Sequence, residues 1–467
     1  MTLDIKAFSK NPENSLLEHG VDPNSARARA LLQQAEAVRA AKAELKQEKS
    51  NKAAVAKEFK AVEKGSDEHR ALVDKMQAVS RAFKQTEEQL KQREQALRAA
   101  LNELEAPKPA EPPLFSIPEA TTSQNFQVRE LTDAEYPLWA SYVRNLKAVP
   151  SYCLPQWAGI IEQAFSHPTR VWAAVSENEE ILGGVPLTIF DSRLFGRFAV
   201  SVPFFNYGGL LTEYRNVAEE IFQHLQAVCE REGWQHVEVR TTQKGLGLPA
   251  TSRKVSMILP LPETEQALEA QLGAKVRAQC KKAGNFSPEV RFGGVELLED
   301  FYRVFAINMR DLGTPVYSKA WFRTIIAHPE VKATLVVVYV KGRAVSAGFL
   351  LGHNGMLEIP WASTVRSANA MDANMWMYRQ ILDYAVRQGY EFFDFGRSTV
   401  DAGTYRFKKQ WGAKPYTHYW YYVLPEGGER PSLNPDNPKY KALIATWRRL
   451  PVWTTTIVGP PIVKNIP

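Results

Sequence analysis

Hydrophobic side chains between residues 22 and 106 follow a spacing that differs from the rest of the chain. They recur mostly every three, four or seven residues within a stretch rich in Ala, Lys, Glu, Gln, Arg and Leu. This spacing is typical of a coiled-coil seam. The clearest run consists of Leu72, Met76, Val79, Phe83, Leu90, Leu97, Leu101 and Leu104. We therefore predict two long antiparallel helices with a turn at Lys64–Asp67, where Gly65 and Ser66 interrupt the run.

The first of these helices is the more basic one. We expect it to begin after Asp22 and Pro23, a residue pair suited to a helix cap and first turn. Its Lys and Arg residues outnumber its acids. This excess is compatible with a solvated coiled-coil face, and equally with an arm that binds a polyanion.

From about residue 126 the pattern changes to short apolar strands and amphipathic helices. A predicted hairpin at 171–189 has a counterpart at 335–351, and each is followed by a helix, a Gly and a strand. Two copies of one unit explain this repeat. We predict an α+β protein with five segments: a helical arm (1–106), a Pro-rich linker (107–125), a first domain (126–260), a second domain (261–425) and a C-terminal tail (426–467).

Composition limits the partners and the compartment. The 467 residues carry a formal charge of +7 and 45% hydrophobic residues, with no apolar run approaching the length of a membrane span. The charge suits a polyanionic partner or an anionic membrane face. Three scattered cysteines show no metal-ligand spacing, so we expect no metal site and a reducing cytoplasm. No secretory signal is visible at the N-terminus.

The most informative chemistry follows the apolar strand at 393–395. Arg397 and two hydroxyl residues come directly after it, and Lys408 and Lys409 lie in a basic aromatic turn a few residues later. Cations released at one strand end suit an anion, since Arg contacts phosphate in a bidentate manner and Lys acts as a point charge. The alternative for both lysines is a short surface helix without a role.

Two carboxylates are candidates for proton transfer. Asp394 alternates with two phenylalanines, so it faces away from them and either accepts a proton, orients Arg397, or forms a structural ion pair with Arg397. Glu358 lies in an apolar strand, with Trp361 next on the same face. An apolar setting raises a carboxyl pKa and suits a general base, although a salt-bridged strand residue is the alternative.

These motifs together resemble the Fem-type aminoacyltransferases, which are tandem copies of the GNAT acyltransferase fold. Asn308–Pro315, Leu357–Ser363 and the stretch 393–399 are similar to the FemAB-like group found beside PEP-CTERM/exosortase and exopolysaccharide systems. The resemblance covers about 126–425. It implies two tandem GNAT-like domains, with an amide formed on a cell-envelope glycan, peptidoglycan or exopolysaccharide precursor.

The resemblance also implies roles for individual residues. The implied catalytic residues are Lys408, Arg397, Asp394 and Glu358. The implied donor-binding residues are Phe407, Lys408, Lys409 and Tyr405, with the Phe-Lys pair placed at the aminoacyl end of a donor tRNA. The implied acceptor-binding residues are Asn308, Arg310, Asp311, Thr314, Trp361 and Tyr207. Arg277 and Lys281 of a basic helix are the implied anion contacts.

The donor is inferred from a difference between this sequence and that of conventional GNAT enzymes. A conventional GNAT enzyme binds the acyl-CoA pyrophosphate in a Gly-containing loop that opens a helix. Residues 364–374 contain no Gly. We therefore expect aminoacyl-tRNA as the donor and no further cofactor, with acyl-CoA as the less favoured alternative.

The N-terminal hairpin and the C-terminal tail both suggest binding partners. The N-terminal hairpin resembles the tRNA-binding arm of seryl-tRNA synthetases, although no synthetase catalytic domain follows it. The tail at 447–463 is basic, aromatic and apolar, which suits either contact with an inner-membrane surface or docking on the protein itself. Besides a transferase, the sequence leaves open a non-catalytic scaffold for tRNA or polysaccharide complexes.

Overall fold

A computed structural model describes residues 8, 12, 16, 26–58, 62, 66–105, 111–118, 121–193, 195–430 and 438–466. The chain divides into two compact units, Met1–Ala110 and Glu111–Pro467. The predicted cap at Asp22 and Pro23, the turn residues Lys64 and Gly65 and the first part of the Pro-rich linker lie outside the described residues.

The first unit contains the helical hairpin. Helices α1 (Ala26–Glu58) and α2 (Asp67–Glu105) run antiparallel, because Lys42 contacts Glu94 at 2.9 Å while Lys75 contacts Glu58, also at 2.9 Å. Small and branched side chains from both helices fill the seam, among them Leu31, Ala35, Val38, Leu97 and Leu101. Ser66 caps α2, its hydroxyl accepting the His69 amide at 3.1 Å. The predicted hairpin is confirmed.

The second unit contains two mixed sheets. Its strands are β1 (Phe126–Glu130), β2 (Thr169–Ser176), β3 (Ile181–Ser192), β4 (Gly196–Val200), β5 (Leu211–Thr212), β6 (Val237–Thr241), β7 (Ala250–Thr251), β8 (Lys254–Pro260), β9 (Glu289–Gly293), β10 (Lys332–Val340), β11 (Arg343–His353), β12 (Met356–Thr364), β13 (Phe392–Thr399), β14 (Lys414–Thr417) and β15 (Tyr419–Val423).

Its helices pack on these sheets and connect them. They are α3 (Tyr136–Asn145), α4 (Gln156–Phe165), α5 (Arg215–Glu232), α6 (Glu265–Gln271), α7 (Ala274–Gly284), α8 (Leu298–Leu312), α9 (Lys319–Ala327), α10 (Ala373–Arg387), α11 (Gly403–Lys409), α12 (Pro438–Trp447) and α13 (Val452–Val463).

The two sheets repeat one topology. The first has the order β1-β2-β3-β4-β6-β15-β7, with β5 on β3, and the second has the order β14-β8-β13-β12-β11-β10-β9. In each, an antiparallel meander leads through a helix, α5 or α10, to a strand that pairs parallel with the last meander strand. The repeat inferred from the two hairpins is present in the fold.

Each sheet includes one strand from the other half of the chain. Strand β8 lies before residue 261 in the chain, yet it pairs with β13 and β14 of the second sheet. Strand β15 lies near the end of the predicted second domain, yet it pairs with β6 of the first sheet. A boundary at residue 260 therefore does not coincide with sheet membership, and the two halves share one continuous unit.

The C-terminal tail docks on this unit. Arg310 donates to the Leu450 carbonyl at 3.1 Å, and Arg448 donates to the Leu312 carbonyl, also at 3.1 Å. Gly459 lies so close to Val316 that a Cβ atom would stand 2.8 Å from the Val316 amide nitrogen. Of the two interpretations of the tail, docking on the protein is observed. None of the helices in the described ranges combines the length and the apolarity needed to cross a bilayer.

Candidate active site

The candidate site lies where β12 and β13 separate. The two strands pair for only three residues, and the last pair is Glu358 with Asp394. A register shift opposite Phe349–Leu351 adds one residue to β12, and another between Asp394 and Arg397 distorts the pairing of β13 with β8. Such bulges bend a strand and redirect its side chains. The two carboxylates therefore stand side by side at the point of divergence.

The bulge in β12 also explains why Trp361 shares a face with Glu358, as predicted. Glu358 lies opposite Leu351, and Trp361 lies opposite Phe349. Because Leu351 and Phe349 are two residues apart on β11, their partners project to one face of the sheet. Glu358 and Trp361 thus share a face although they are three residues apart.

Both carboxylates are buried, with Glu358 4% and Asp394 0% exposed. Asp394 Oδ1 accepts the Gly396 amide at 2.8 Å, while Oδ2 lies near Ser256 without a hydrogen bond of good geometry to any described residue. Burial raises the pKa of Asp394 to about 6. Burial and the neighbouring Asp394 charge raise the pKa of Glu358 well above its ordinary value.

Lys408 supplies the opposite charge. It is 7% exposed, and its Nζ donates to the carbonyls of Gly396 at 2.8 Å and Arg397 at 2.9 Å. Burial lowers its pKa to about 8, although Asp394 and Glu358 attract the charged form. The alternative that Lys408 lies on a surface helix is wrong for this residue, whereas its neighbour Lys409 is exposed.

Groups from the first half of the unit close the site. Asn206 Nδ2 donates weakly to Glu358 Oε1 at 3.5 Å. The buried phenols of Tyr152 and Tyr207 lie near enough for Glu358 and Asp394 to raise their pKa values, in addition to the effect of burial. The predicted residue Tyr207 therefore belongs to this cluster.

Arg397 does not pair with Asp394. Its guanidinium lies over the Trp420 ring at 5.4 Å and makes no hydrogen bond or ion pair with any described residue. The alternative of a structural Asp–Arg pair is thus wrong, because the bulge after Asp394 carries Arg397 away from it. Removal from bulk water and repulsion by Arg240 lower the pKa of Arg397 to about 10.

The surroundings of Arg397 are cationic. Arg240 lies 4.4 Å from the same Trp420 ring, and Glu238 neutralises it through a 2.6 Å contact. Lys254 donates to the Thr399 hydroxyl at 2.7 Å, and repulsion from Arg397 adds to burial in lowering the pKa of Lys254. Arg397 remains exposed to solvent at this position. The arrangement is a cluster of cationic side chains in which the exposed Arg397 guanidinium is available to an anion.

The remaining predicted donor residues lie around α11. Phe407 packs against Tyr378 at 5.3 Å between ring centroids and helps to hold α11 on the core. Tyr405 is half-buried beside the same core. Because α11 starts four residues after β13 ends, it turns back over the strand and brings Lys408 under the bulge.

The predicted acceptor residues of α8 have structural partners. Asn308 Nδ2 donates to the Ser363 hydroxyl at 3.1 Å. Arg310 contacts Asp311 at 2.7 Å and also binds the tail, while Arg366 donates to the Asp311 carbonyl. Thr314 is exposed and Trp361 is buried. The structure therefore ties Arg310 and Asp311 to the docked tail.

The predicted anion-binding residues lie on α7, and their contacts are with residues outside the carboxylate cluster. Arg277 donates to the Leu272 carbonyl at 2.6 Å and contacts Glu269, whereas Lys281 is exposed. Lys282 contacts Asp372 at 2.7 Å. Asp372 stands at the N-terminus of α10 with a φ of 53°, where a conventional GNAT enzyme would bind a pyrophosphate.

Several residues of the site had no assigned role in the sequence. Tyr152, Asn206, Lys254, Ser256 and Trp420 reach it from distant segments. Trp420 belongs to the aromatic run 416–422 and Lys254 follows Arg253, so both carried a local signal. Tyr152 and Asn206 carried none, because only the packing of the two halves brings them to Glu358.

Comparison with known proteins gives a family model and several similar solved structures. Residues 272–409 match the family model described as an acetyltransferase (GNAT) domain. No curated protein sequence matches the chain. Among solved structures, FemX is 14% identical and aligns with a TM-score of 0.49 over 68% of this chain and 100% of its own.

Two further structures are similar over about the same share of the chain. The C-terminal domain of a putative lysylphosphatidylglycerol synthetase from Agrobacterium fabrum is 11% identical, with a TM-score of 0.44 over 64% of this chain and 94% of its own. A tandem GNAT protein from the clavulanic acid biosynthesis pathway is 12% identical, with a TM-score of 0.41 over 64% and 99%. The match of residues 272–409 to a GNAT domain, together with the two sheets and the hairpin, confirms the predicted α+β fold.

Proposed function

We propose that this protein transfers an activated aminoacyl or acyl group to an amine of a cell-envelope glycan precursor. The observation that best supports this is the buried pair Glu358–Asp394 beside Lys408, at the point where β12 and β13 separate. The GNAT domain makes acyl transfer the expected class of reaction. The buried groups supply the acid–base chemistry that this class requires.

Amide formation requires a neutral amine and a stabilised oxyanion. The carboxyl pair is the proposed base, because a carboxylate titrating near neutral pH accepts a proton from an ammonium or from the attacking amine. The new C–N bond replaces the acyl C–O bond, and the leaving oxygen takes up a proton. The carboxyl pair takes the proton that the amine loses and passes it to the leaving oxygen.

Lys408 is the proposed oxyanion contact. An ammonium group has three N–H donors, and two of them bind the carbonyls of Gly396 and Arg397. The third remains for the oxygen of the tetrahedral intermediate. Carbonyl contacts fix the direction of this donor, so little reorganisation accompanies the reaction.

Aminoacyl-tRNA is the proposed donor. At the N-terminus of α10 a carboxylate, Asp372, and its partner Lys282 occupy the position that a pyrophosphate would need. A negative charge at that point opposes binding of an acyl-CoA. The basic face of α1 offers a separate surface for a polyanion, with exposed cations such as Lys46 and Lys49.

The cationic cluster around Arg397 is the proposed contact for a substrate phosphate. Its guanidinium has no partner among the described residues and keeps contact with solvent. Lys254 adds positive charge beside it. A phosphate-bearing precursor, whether nucleotide-linked or lipid-linked, carries the complementary group.

Replacing Arg397 with Gln is expected to raise KM for a phosphate-bearing substrate by about 10- to 100-fold, because a hydrogen bond to a charged group contributes about 1.5–3 kcal/mol. The thermal unfolding temperature should stay unchanged or rise, since the folded protein disfavours this charge. Steady-state kinetics and thermal unfolding measure the two effects. Arg430→Gln is the matched control, because Arg430 also lies over an aromatic ring, that of Tyr422; equal KM changes in both variants would contradict the assignment.

The rate of transfer is expected to be bell-shaped in pH, rising through about 6 and falling above about 8. The base must lose a proton, and the pKa of Asp394 is about 6. Lys408 must keep its proton, and its pKa is about 8. Values of kcat/KM between pH 5 and 9, measured with two acceptor amines of different pKa, report the groups of the free enzyme. If the two limbs of the pH profile shift with the pKa of the acceptor amine, the profile does not arise from Asp394 and Lys408.

The donor assignment is tested with the full-length protein. A pool of tRNA charged with labelled amino acids and, separately, labelled acetyl-CoA are supplied with UDP-glucosamine as a phosphate-bearing amine. Transfer of label from tRNA supports the proposal. Transfer from acetyl-CoA alone would support the acyl-CoA alternative, and tRNA binding without transfer would support a non-catalytic scaffold.

A further inference from the structure

The C-terminal helix α13 buries small side chains and exposes large apolar ones. Its inner face, Thr455, Gly459 and Val463, is buried and follows an i, i+4, i+8 spacing. Trp453 and Ile457, which are also four residues apart, are 67% and 65% exposed. An ordinary surface helix turns its large apolar residues inward, so the outer face of α13 is built for another contact.

Exposed apolar side chains are concentrated in this segment. Of the nine large hydrophobic residues that are exposed in the described part of the chain, four lie within 438–466, namely Leu443, Trp453, Ile457 and Val458. The inner face is anchored, since the Lys464 carbonyl contacts His167 Nε2 at 2.7 Å and the Leu450 carbonyl accepts from Arg310. The outer face is therefore displayed on a fixed support.

The charge of the segment has one sign. From Pro438 to the end of the sequence there are five cations and no acid, and the whole chain has a net charge of +7. The five cations are Lys439, Lys441, Arg448, Arg449 and Lys464. If a second copy of the chain docked here through the same segment, five cations would face five cations and repel one another. An anionic lipid surface complements both the charge and the apolar face.

We propose that the outer face of α13, together with Leu443, docks on an anionic membrane surface. Trp favours the boundary between headgroups and acyl chains, where the exposed Trp453 would lie. At 12 residues with two internal prolines, α13 is about 18 Å long, too short to span a bilayer. It lies on the surface, where the positive charge of the segment complements the anionic headgroups.

The test is flotation of the full-length protein with vesicles of phosphatidylcholine alone and of phosphatidylcholine with 30% phosphatidylglycerol. We expect binding to the anionic vesicles that weakens as salt increases. Trp453→Ser/Ile457→Ser should weaken binding at least about 100-fold, because two large apolar side chains no longer enter the bilayer. Thermal unfolding should be unchanged, since both residues are exposed in the folded protein.

Leu138→Ser/Val295→Ser is the matched control, because these residues are 51% and 57% exposed elsewhere in the same unit. It should bind like the unmodified protein. Equal binding to both kinds of vesicle, an unaffected Trp453/Ile457 variant, or dimers in light scattering that this variant abolishes would overturn the proposal. No readout depends on transfer activity, so the proposed function is not at stake in this experiment.

Discussion

Glu358→Gln is expected to lower kcat by at least about 100-fold, the usual contribution of a general base, while the folded protein becomes no less stable at pH 7. The amide keeps the shape of the carboxyl group and the contact with Asn206, but it can neither share nor pass on the proton that the carboxyl pair accepts. Single-turnover transfer assays at saturating donor measure the first effect, and urea unfolding measures the second.

The direction of the stability effect follows from linkage. Glu358 has a folded pKa well above its ordinary value, so folding near neutral pH takes up a proton. The carboxyl group therefore costs stability as pH rises above its unfolded pKa, and the cost grows up to the folded pKa. Gln removes this cost, so the advantage of the variant should increase from pH 5 to pH 8.

Asp383→Asn is a suitable control for Glu358→Gln. Asp383 is also buried, but it pairs with Arg379 at 2.9 Å on α10. Its loss should reduce the free energy of unfolding without changing the chemical step. If Glu358→Gln retains full kcat, or if both variants lose kcat in parallel with stability, the carboxyl pair is not the base.

Lys408→Met is expected to remove measurable transfer and to reduce the free energy of unfolding by about 3 kcal/mol at pH 7, as for other broken buried charge pairs. The carbonyls of Gly396 and Arg397 lose their donor, and the oxyanion loses its contact. Asp394 loses the cation that favours its charged form, so the destabilisation should be larger at pH 8 than at pH 5. Urea unfolding at both pH values checks this dependence.

A double-mutant cycle separates the two roles of Lys408. Adding Asp394→Asn to Lys408→Met removes the unpaired carboxylate, so part of the lost stability should return while transfer stays absent. Lys414→Met, an exposed lysine on β14, should change the free energy of unfolding by less than about 0.5 kcal/mol. Recovery of transfer in the double variant would show that Lys408 acts only by supporting the fold.

Local patterns were sufficient for the elements and for part of the site. The heptad-like spacing from Leu72 to Leu104 predicted a hairpin because a coiled-coil seam depends on neighbours along the same helix. Glu358, Asp394 and Lys408 were each identified from strand and turn motifs. Their burial in one cluster was not predictable, because it follows from the parallel register of β12 and β13 and from the bulges that end it.

Other features depend on contacts between distant segments. An Asp394–Arg397 pair, one of the alternatives for Asp394, would need a regular strand, and the bulge between the two residues separates their side chains. The predicted boundary at residue 260 stays a prediction, and the structure adds that β15 pairs with β6 of the first sheet. The predicted acceptor role of Arg310 also stays a prediction, and the structure adds that Arg310 binds the tail 140 residues away in the chain.

The sequence by itself determined the helical hairpin, the repeated α/β unit, the absence of a Gly loop before α10 and the cationic stretch from Arg397 to Lys409, because each depends on residues close together in the chain. Only the tertiary structure decided that Glu358 and Asp394 share one buried site with Lys408, that Arg397 stays exposed over the Trp420 ring, and that α13 turns its large side chains outward. These features depend on strand register and on packing between distant segments, where burial sets the pKa values and leaves particular charges without partners.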